Sequence, residues 1–237
     1  MTSLEDALVA AVGVHRGVAA ADLLCLACVE LLSVDAAAIS LVFDGAHTGT
    51  VGASSDRARA YDELQFTVGE GPCLESVSTH APVLVIDLAA DVDSGRWPGY
   101  GPALLAHGVG GVYAMPVLVA GEYVGALDLF RNHRQALDGE DLSGAFVAAE
   151  LAEMPLLDLM AADLQAAIAD PDAIAWAELN LITRAEISQA TGMLVAQLEV
   201  DPAEALVRLR AHAYATNRSA TAVARDIMDR RLRLDPG

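Results

Sequence analysis

Three cysteines are the first residues whose type and spacing could do chemistry. Cys25 and Cys28 have the CxxC spacing of redox and metal sites, but neither a second pair nor the histidines of a zinc site accompany them. Both fall at helical spacing within an apolar pattern, so an inert buried pair is the competing reading. Cys73 follows Pro72 at the expected start of a helix, where the positive end of the dipole would lower a thiol pKa; simple packing is the alternative. Arg96-Trp97, close to Tyr100, offers a cation and aromatic surface, suited either to a ligand pocket or to an aromatic plug that anchors a loop. Cys73, Arg96, Trp97 and Tyr100 are therefore the candidate ligand-binding set.

Enzyme motifs are missing. The six histidines are scattered without HExxH, no serine sits in GxSxG, no GxxxxGKS occurs, and Gly69-Glu70-Gly71 is too short for a dinucleotide loop. No catalytic residue, metal ligand or cofactor is expected. No run reaches the roughly 18 apolar residues of a membrane span, and the amino terminus carries acids where a signal peptide would be basic, so a cytoplasmic location is expected. Three unevenly spaced cysteines agree with a reducing compartment.

Charge divides the chain. Its net formal charge is −19, which argues against nucleic acid as a partner, yet residues 1–175 hold 6 Arg against 25 acids while residues 176–237 hold 8 against 8. Residues 205–234 alone carry 7 Arg and 2 acids, a net of +5. A chain of 237 residues, 54% of them hydrophobic, can build two packed units, and the charge asymmetry marks two different ones.

The elements that must position these residues follow from periodicity. Leu4 to Val34 reads as one or two amphipathic helices, and the run 37–43 as a buried strand. Val51–Ser54 and Leu64–Phe66 are weaker strand candidates. Pro72 suits the first turn of a short helix. A strand over 83–86 is capped by Asp87, and Arg96 to Tyr100 forms a loop before a helix near 103–107. Residues 111–119 and 122–130 flank Ala120-Gly121 as an antiparallel hairpin. Asp138 caps a helix that Pro155 kinks or divides.

This order of helices and strands predicts an α+β domain with an antiparallel sheet flanked by helices. It resembles a GAF domain, most specifically in Gly69-Glu70-Gly71-Pro72-Cys73, Arg96-Trp97-Pro98 and the strand ending Gly125-Ala126-Leu127-Asp128-Leu129-Phe130-Arg131. The resemblance implies a sensor with a small-ligand or protein-contact surface. The Asn-Lys-Phe-Asp-Glu set of cyclic-nucleotide binders is absent, so cyclic GMP is not expected.

Beyond Asp170-Pro171-Asp172 only helical patterns remain: a first helix over 174–198, a second that starts at the cap Asp201-Pro202-Ala203-Glu204 and stops near Asn217, and a third capped by Ser219. Together they predict a small three-helix bundle. Arg184-Ala185-Glu186-Ile187-Ser188-Gln189-Ala190-Thr191-Gly192-Met193-Leu194, the run 205–213 and the run 223–227 are similar to the ANTAR pattern. That resemblance implies an antiterminator that binds paired RNA hairpins in nascent messages. Arg184, Gln189, Thr191, Arg208, Arg210, Asn217, Arg218 and Arg225 are the candidate RNA contacts; many members have Lys where this chain has Thr191. The expected domains are 1–152, a helical linker 153–173, and 174–235. A homodimer is expected, since apolar residues around Leu151, Met154 and Leu157 and from Ile174 to Ile182 could pair helices between subunits. A sensor whose helical end binds a protein, and a thiol redox sensor, are the alternatives.

Overall fold

The computed structural model describes residues 3–43, 45–169, 185–216 and 218–234. Two helices open the chain, α1 (Leu4–Val12) and α2 (Gly17–Leu31), followed by β1 (Ala36–Phe43), β2 (Ala46–Ala53), α3 (Asp56–Val68) and α4 (Pro72–Thr79). Next come β3 (Val83–Val85), α5 (Leu88–Asp93), α6 (Tyr100–Ala106), the hairpin β4 (Gly111–Val119) and β5 (Glu122–Arg131), then α7 (Gly139–Leu151) and α8 (Glu153–Ala169). A separate helical unit holds α9 (Ala185–Leu198), α10 (Pro202–Ala215) and α11 (Ala220–Met228).

The five strands form one antiparallel sheet in the order β2-β1-β5-β4-β3. Because strand side chains alternate, the sheet has two different faces. Ala37 and Ile39 of β1 and Leu127 and Leu129 of β5 pack with Leu24, Cys25 and Cys28 of α2 and with Ala145 and Ala148 of α7. Ala36, Ala38 and Phe130 belong to the opposite face, with Tyr61 of α3 and Tyr100 and Leu104 of α6. Ser40 and Asp128 share the parity of that second face, which places two polar groups under α3.

Two sequence expectations are corrected and a third is met. Leu64–Phe66 is not a strand but part of α3: Ser55 caps the helix by accepting from Ala58 N, and Ala58, Tyr61, Asp62, Gln65 and Phe66 recur on its buried side. Asp87 caps a helix rather than a strand end, its carboxylate accepting from the backbone amides of Ala89 at 3.1 Å and Ala90 at 3.3 Å. The expected division of the helix after Asp138 is present: α7 ends at Leu151, whose carbonyl Pro155 has no N–H to reach, and Pro155 falls in the first turn of α8.

In the helical unit Ile187, Ala190, Leu194 and Leu198 of α9 meet Ala205, Leu209 and Ala213 of α10 and Val223, Ala224 and Ile227 of α11. Alanine at the contacts lets these short helices approach closely. Asp201 accepts from Glu204 N at 2.8 Å and Ser219 from Ala222 N at 3.1 Å, so both expected caps form. Asp170-Pro171-Asp172, Ile174 to Ile182 and the start of the expected first helix lie outside the described residues. Among the described residues no helix is long and apolar enough to cross a membrane.

Candidate functional site

The Gly69–Cys73 segment organises the second face of the sheet residue by residue. Gly69 ends α3 in the left-handed region. Glu70 turns its carboxylate onto the start of α6, accepting from Gly99 N at 2.6 Å and Tyr100 N at 3.0 Å. Gly71 has φ of 145° and a Cβ there would collide with the Gln65 side chain, so only glycine fits. Pro72 starts α4, and Cys73 N donates to Gln65 Oε1 at 2.8 Å. Gln65 thereby ties α3 to α4, and Glu70 ties their junction to α6.

Gln65 belongs to a buried polar cluster. Its amide nitrogen donates to Asp128 Oδ2 at 2.6 Å and to Asp62 Oδ1 at 3.2 Å. Asp62, fully buried, also accepts from the Ser40 hydroxyl, from Thr50 Oγ1 at 2.5 Å, and meets His47 Nε2 at 3.0 Å. Burial opposes its charge, but the charge of His47 and the hydrogen bonds from His47, Ser40 and Thr50 outweigh it and hold the carboxyl down at about 2. Burial, and then the charge of Asp62, push Asp128 the other way, well above the usual carboxylate range. Tyr100 is driven up by burial and by Asp128, Asp62 and Cys73. The cluster thus combines an ionised Asp62 with a phenol that keeps its proton, and Tyr100 Oη and Asp128 Oδ1 have no hydrogen-bond partner among the described residues.

Of the four candidate ligand residues, Cys73 and Tyr100 border this cluster. Arg96 and Trp97 do not. Arg96 is held by Glu75 and, at 2.7 Å, by Asp91, and its guanidinium lies 4.2 Å over the Trp97 ring. Trp97 in turn meets Tyr100 edge-on, with centroids 6.2 Å apart. Arg96 therefore lashes α4 and α5 to the loop, and Trp97 braces Tyr100. Sequence reasoning missed Ser40, His47, Thr50, Asp62, Gln65 and Asp128. A usable signal existed for one of them: a carboxylate inside the apolar run 125–130 needs a buried partner.

All three thiols are buried and none is in a disulfide. Burial raises Cys25 and Cys73 well above their ordinary value and pushes Cys28 up to about 12, which suppresses the thiolate needed for nucleophilic or metal chemistry.

The candidate RNA residues spread over the helical unit. Gln189 and Arg225 are exposed, Arg225 pairing with Glu186 at 2.8 Å. Thr191 Oγ1 donates back to Ile187 O at 2.7 Å. Arg208 bonds Glu204 one turn away at 3.1 Å, and Arg218 bonds Asp226 at 2.6 Å. Arg210 is apart from these: its guanidinium lies 4.2 Å over the ring of Phe66, which belongs to α3. Arg184 and Asn217 lie outside the described residues.

Comparison with known families fits both units. The GAF domain family model matches residues 19–154, more than half the chain, and the ANTAR domain model matches residues 177–228. The chain is a GAF–ANTAR protein. Among solved structures, the GAF domain from a phosphoenolpyruvate-protein phosphotransferase of Coxiella burnetii is 17% identical with a TM-score of 0.51, over 69% of this chain and 95% of that one. That likeness concerns the fold alone. The reduced fRMsr of Staphylococcus aureus is 13% identical with a TM-score of 0.48, over 63% of this chain and 90% of that one. Comparison with curated proteins returned no match.

The GAF and ANTAR domains meet along α3. Phe66 lies in the same apolar cluster as Leu209 and Ala220 of the ANTAR domain. Thr67 Oγ1 donates to Glu63 O at 3.0 Å and accepts from Ala220 N at 3.4 Å. Beside this contact opens a cavity of about 530 Å³, bordered by Val68, Glu70 and Pro98 of the GAF domain and Val207, Arg210 and Tyr214 of the ANTAR domain.

Proposed function

We propose that this GAF–ANTAR protein is a cytoplasmic, signal-responsive antitermination regulator rather than an enzyme. Its ANTAR domain binds hairpin RNA in nascent transcripts and keeps a terminator from forming, under control of the GAF sensor. The observation that carries the reading is the ANTAR match over 177–228, coincident with the Arg-rich part of an otherwise acidic chain. We place the sensor at 1–152, a helical linker at 153–173 and the RNA-binding domain at 174–235. Arg184, Gln189, Thr191, Arg208, Arg210, Asn217, Arg218 and Arg225 are the proposed RNA contacts, with the Arg side chains on phosphates and Tyr214, 56% exposed, available to stack on a loop base.

In the sensor, Cys73 and Tyr100 border the proposed signal site and Arg96 and Trp97 brace it. Tyr100 Oη, a buried donor without an acceptor, suits a small polar molecule that supplies one. A dimer presenting two ANTAR domains matches the two hairpins of the proposed target. Selection of bound transcripts from cell RNA, followed by titration at several salt concentrations, tests the function: affinity must fall steeply with salt, because phosphate contacts release counterions. Capture of no RNA, or binding indifferent to salt, transfers the ANTAR domain to a protein partner, for which Val207, 61% exposed on α10, would be the natural contact.

A further inference from the structure

We infer that helix α3 of the GAF domain is an autoinhibitory dock that competes with RNA for the ANTAR face carrying Arg210. The inference rests on the RNA-binding reading above and adds the contact through which the sensor acts.

Three neighbouring residues of α3 make the dock. Phe66 is only 4% exposed because ANTAR residues close over it, and the Arg210 guanidinium carbon lies 4.2 Å from the centre of its ring. Thr67 supplies a second cap to α11: Ser219 takes the amide of Ala222, while the Thr67 hydroxyl takes that of Ala220. Glu63, half-buried beside them, has its carboxyl raised by burial first and feels the charges of Asp62, Arg59, Arg225 and Glu186. One α3 face therefore meets an apolar core, a helix start and the Arg210 guanidinium.

The contact is suited to exchange. Arg210 is desolvated by the dock, yet its Nε has no hydrogen-bond partner among the described residues, so the aromatic ring satisfies it incompletely. A phosphate would give it a charged, bidentate acceptor. Charge favours the docked state in the absence of RNA, since residues 1–175 carry a net −19 and residues 205–234 a net +5. Gln65 of the buried polar cluster immediately precedes Phe66, and Asp62 lies one turn earlier on the same helix. A ligand that displaces the Gln65 bridge, which ties α3 to α4 and β5, frees α3 to shift and with it Phe66 and Thr67. The two sites are thus joined by one rigid element, and differential binding to docked and released states gives control.

The test uses the full chain bearing Thr67→Cys and Ala220→Cys, positions already in hydrogen-bond contact, with a pool of randomised-loop hairpin RNAs as the probe. Oxidation should link the two cysteines and weaken RNA binding at least about tenfold, and reduction of the same sample should restore it. Phe66→Ala should do the reverse, binding more tightly than the native chain, and Glu63→Arg repeats that release without emptying the core. Equal affinity of linked and reduced protein overturns the dock while leaving RNA binding intact, as does failure of the link to form. If native, reduced and Phe66→Ala proteins all bind no hairpin, RNA binding itself is wrong and the competition falls with it.

Discussion

Gln65 Nε2 donates to Asp128 Oδ2 at 2.6 Å and to Asp62 Oδ1 at 3.2 Å, so a single amide spans two buried carboxyls whose proton affinities are driven apart. Asp62 is lowered to about 2, and the stability it contributes is present above the ordinary carboxylate pKa and lost as pH falls through about 2. Asp128 is raised, so its contribution is complete below the ordinary value and is lost as pH rises through its folded-state value.

Asp128→Asn should therefore remove the second dependence. An amide keeps an acceptor for Gln65 and carries no charge to bury. Thermal melts across pH should show the variant gaining on the native chain as pH rises from about 4, by about 1.4 kcal/mol per pH unit until Asp128 ionises in the folded native chain. Parallel melting curves at every pH would show that Asp128 titrates normally.

Gly71→Ala should destabilise the sensor by roughly 1–3 kcal/mol, since φ of 145° strains any other residue and the new methyl group displaces Gln65. Urea unfolding reads the cost. Unchanged stability would mean that the α3–α4 turn relaxes without disturbing Gln65.

Arg225→Ala and Arg208→Ala should each lower the salt slope of hairpin binding by about 1 and weaken all hairpins alike. Arg210→Ala should weaken binding less than Arg225→Ala does, because it removes a phosphate contact and also loosens the contact with Phe66. Arg57→Ala and Arg59→Ala in the sensor control for the general loss of positive charge. Identical slopes in all five proteins and the native chain would place RNA on another surface.

The chain should be dimeric at micromolar concentration. Phe146, Met154 and Leu157 are 44%, 47% and 38% exposed along α7 and α8, an apolar stripe on one chain that a second copy would cover. Light scattering over a concentration series decides; a monomer mass with and without RNA refutes it.

Cys25, Cys28 and Cys73 should resist alkylation at pH 8 until denaturant unfolds the GAF domain, since burial suppresses all three thiolates. Rapid labelling of any one in the folded protein would revive the thiol-sensor reading.

Both domains were legible in local sequence, because caps, periodicity and turns are properties of neighbouring residues. Asp138, Asp201 and Ser219 each cap the helix expected of them, and 111–119 pairs with 122–131 as a hairpin. Leu64–Phe66 misled because three residues cannot distinguish period 2 from 3.6; the buried set Ala58, Tyr61, Asp62 and Gln65 settles it over the whole of α3. The polar cluster was out of reach. Ser40, His47, Thr50, Asp62, Gln65 and Asp128 come from β1, β2, α3 and β5, up to 88 residues apart in sequence, and only the pairing of those strands under α3 brings them together. Arg210 makes the same point: its charge and helix were readable, but that an aromatic ring 144 residues earlier covers it depends on how two separately folded cores meet.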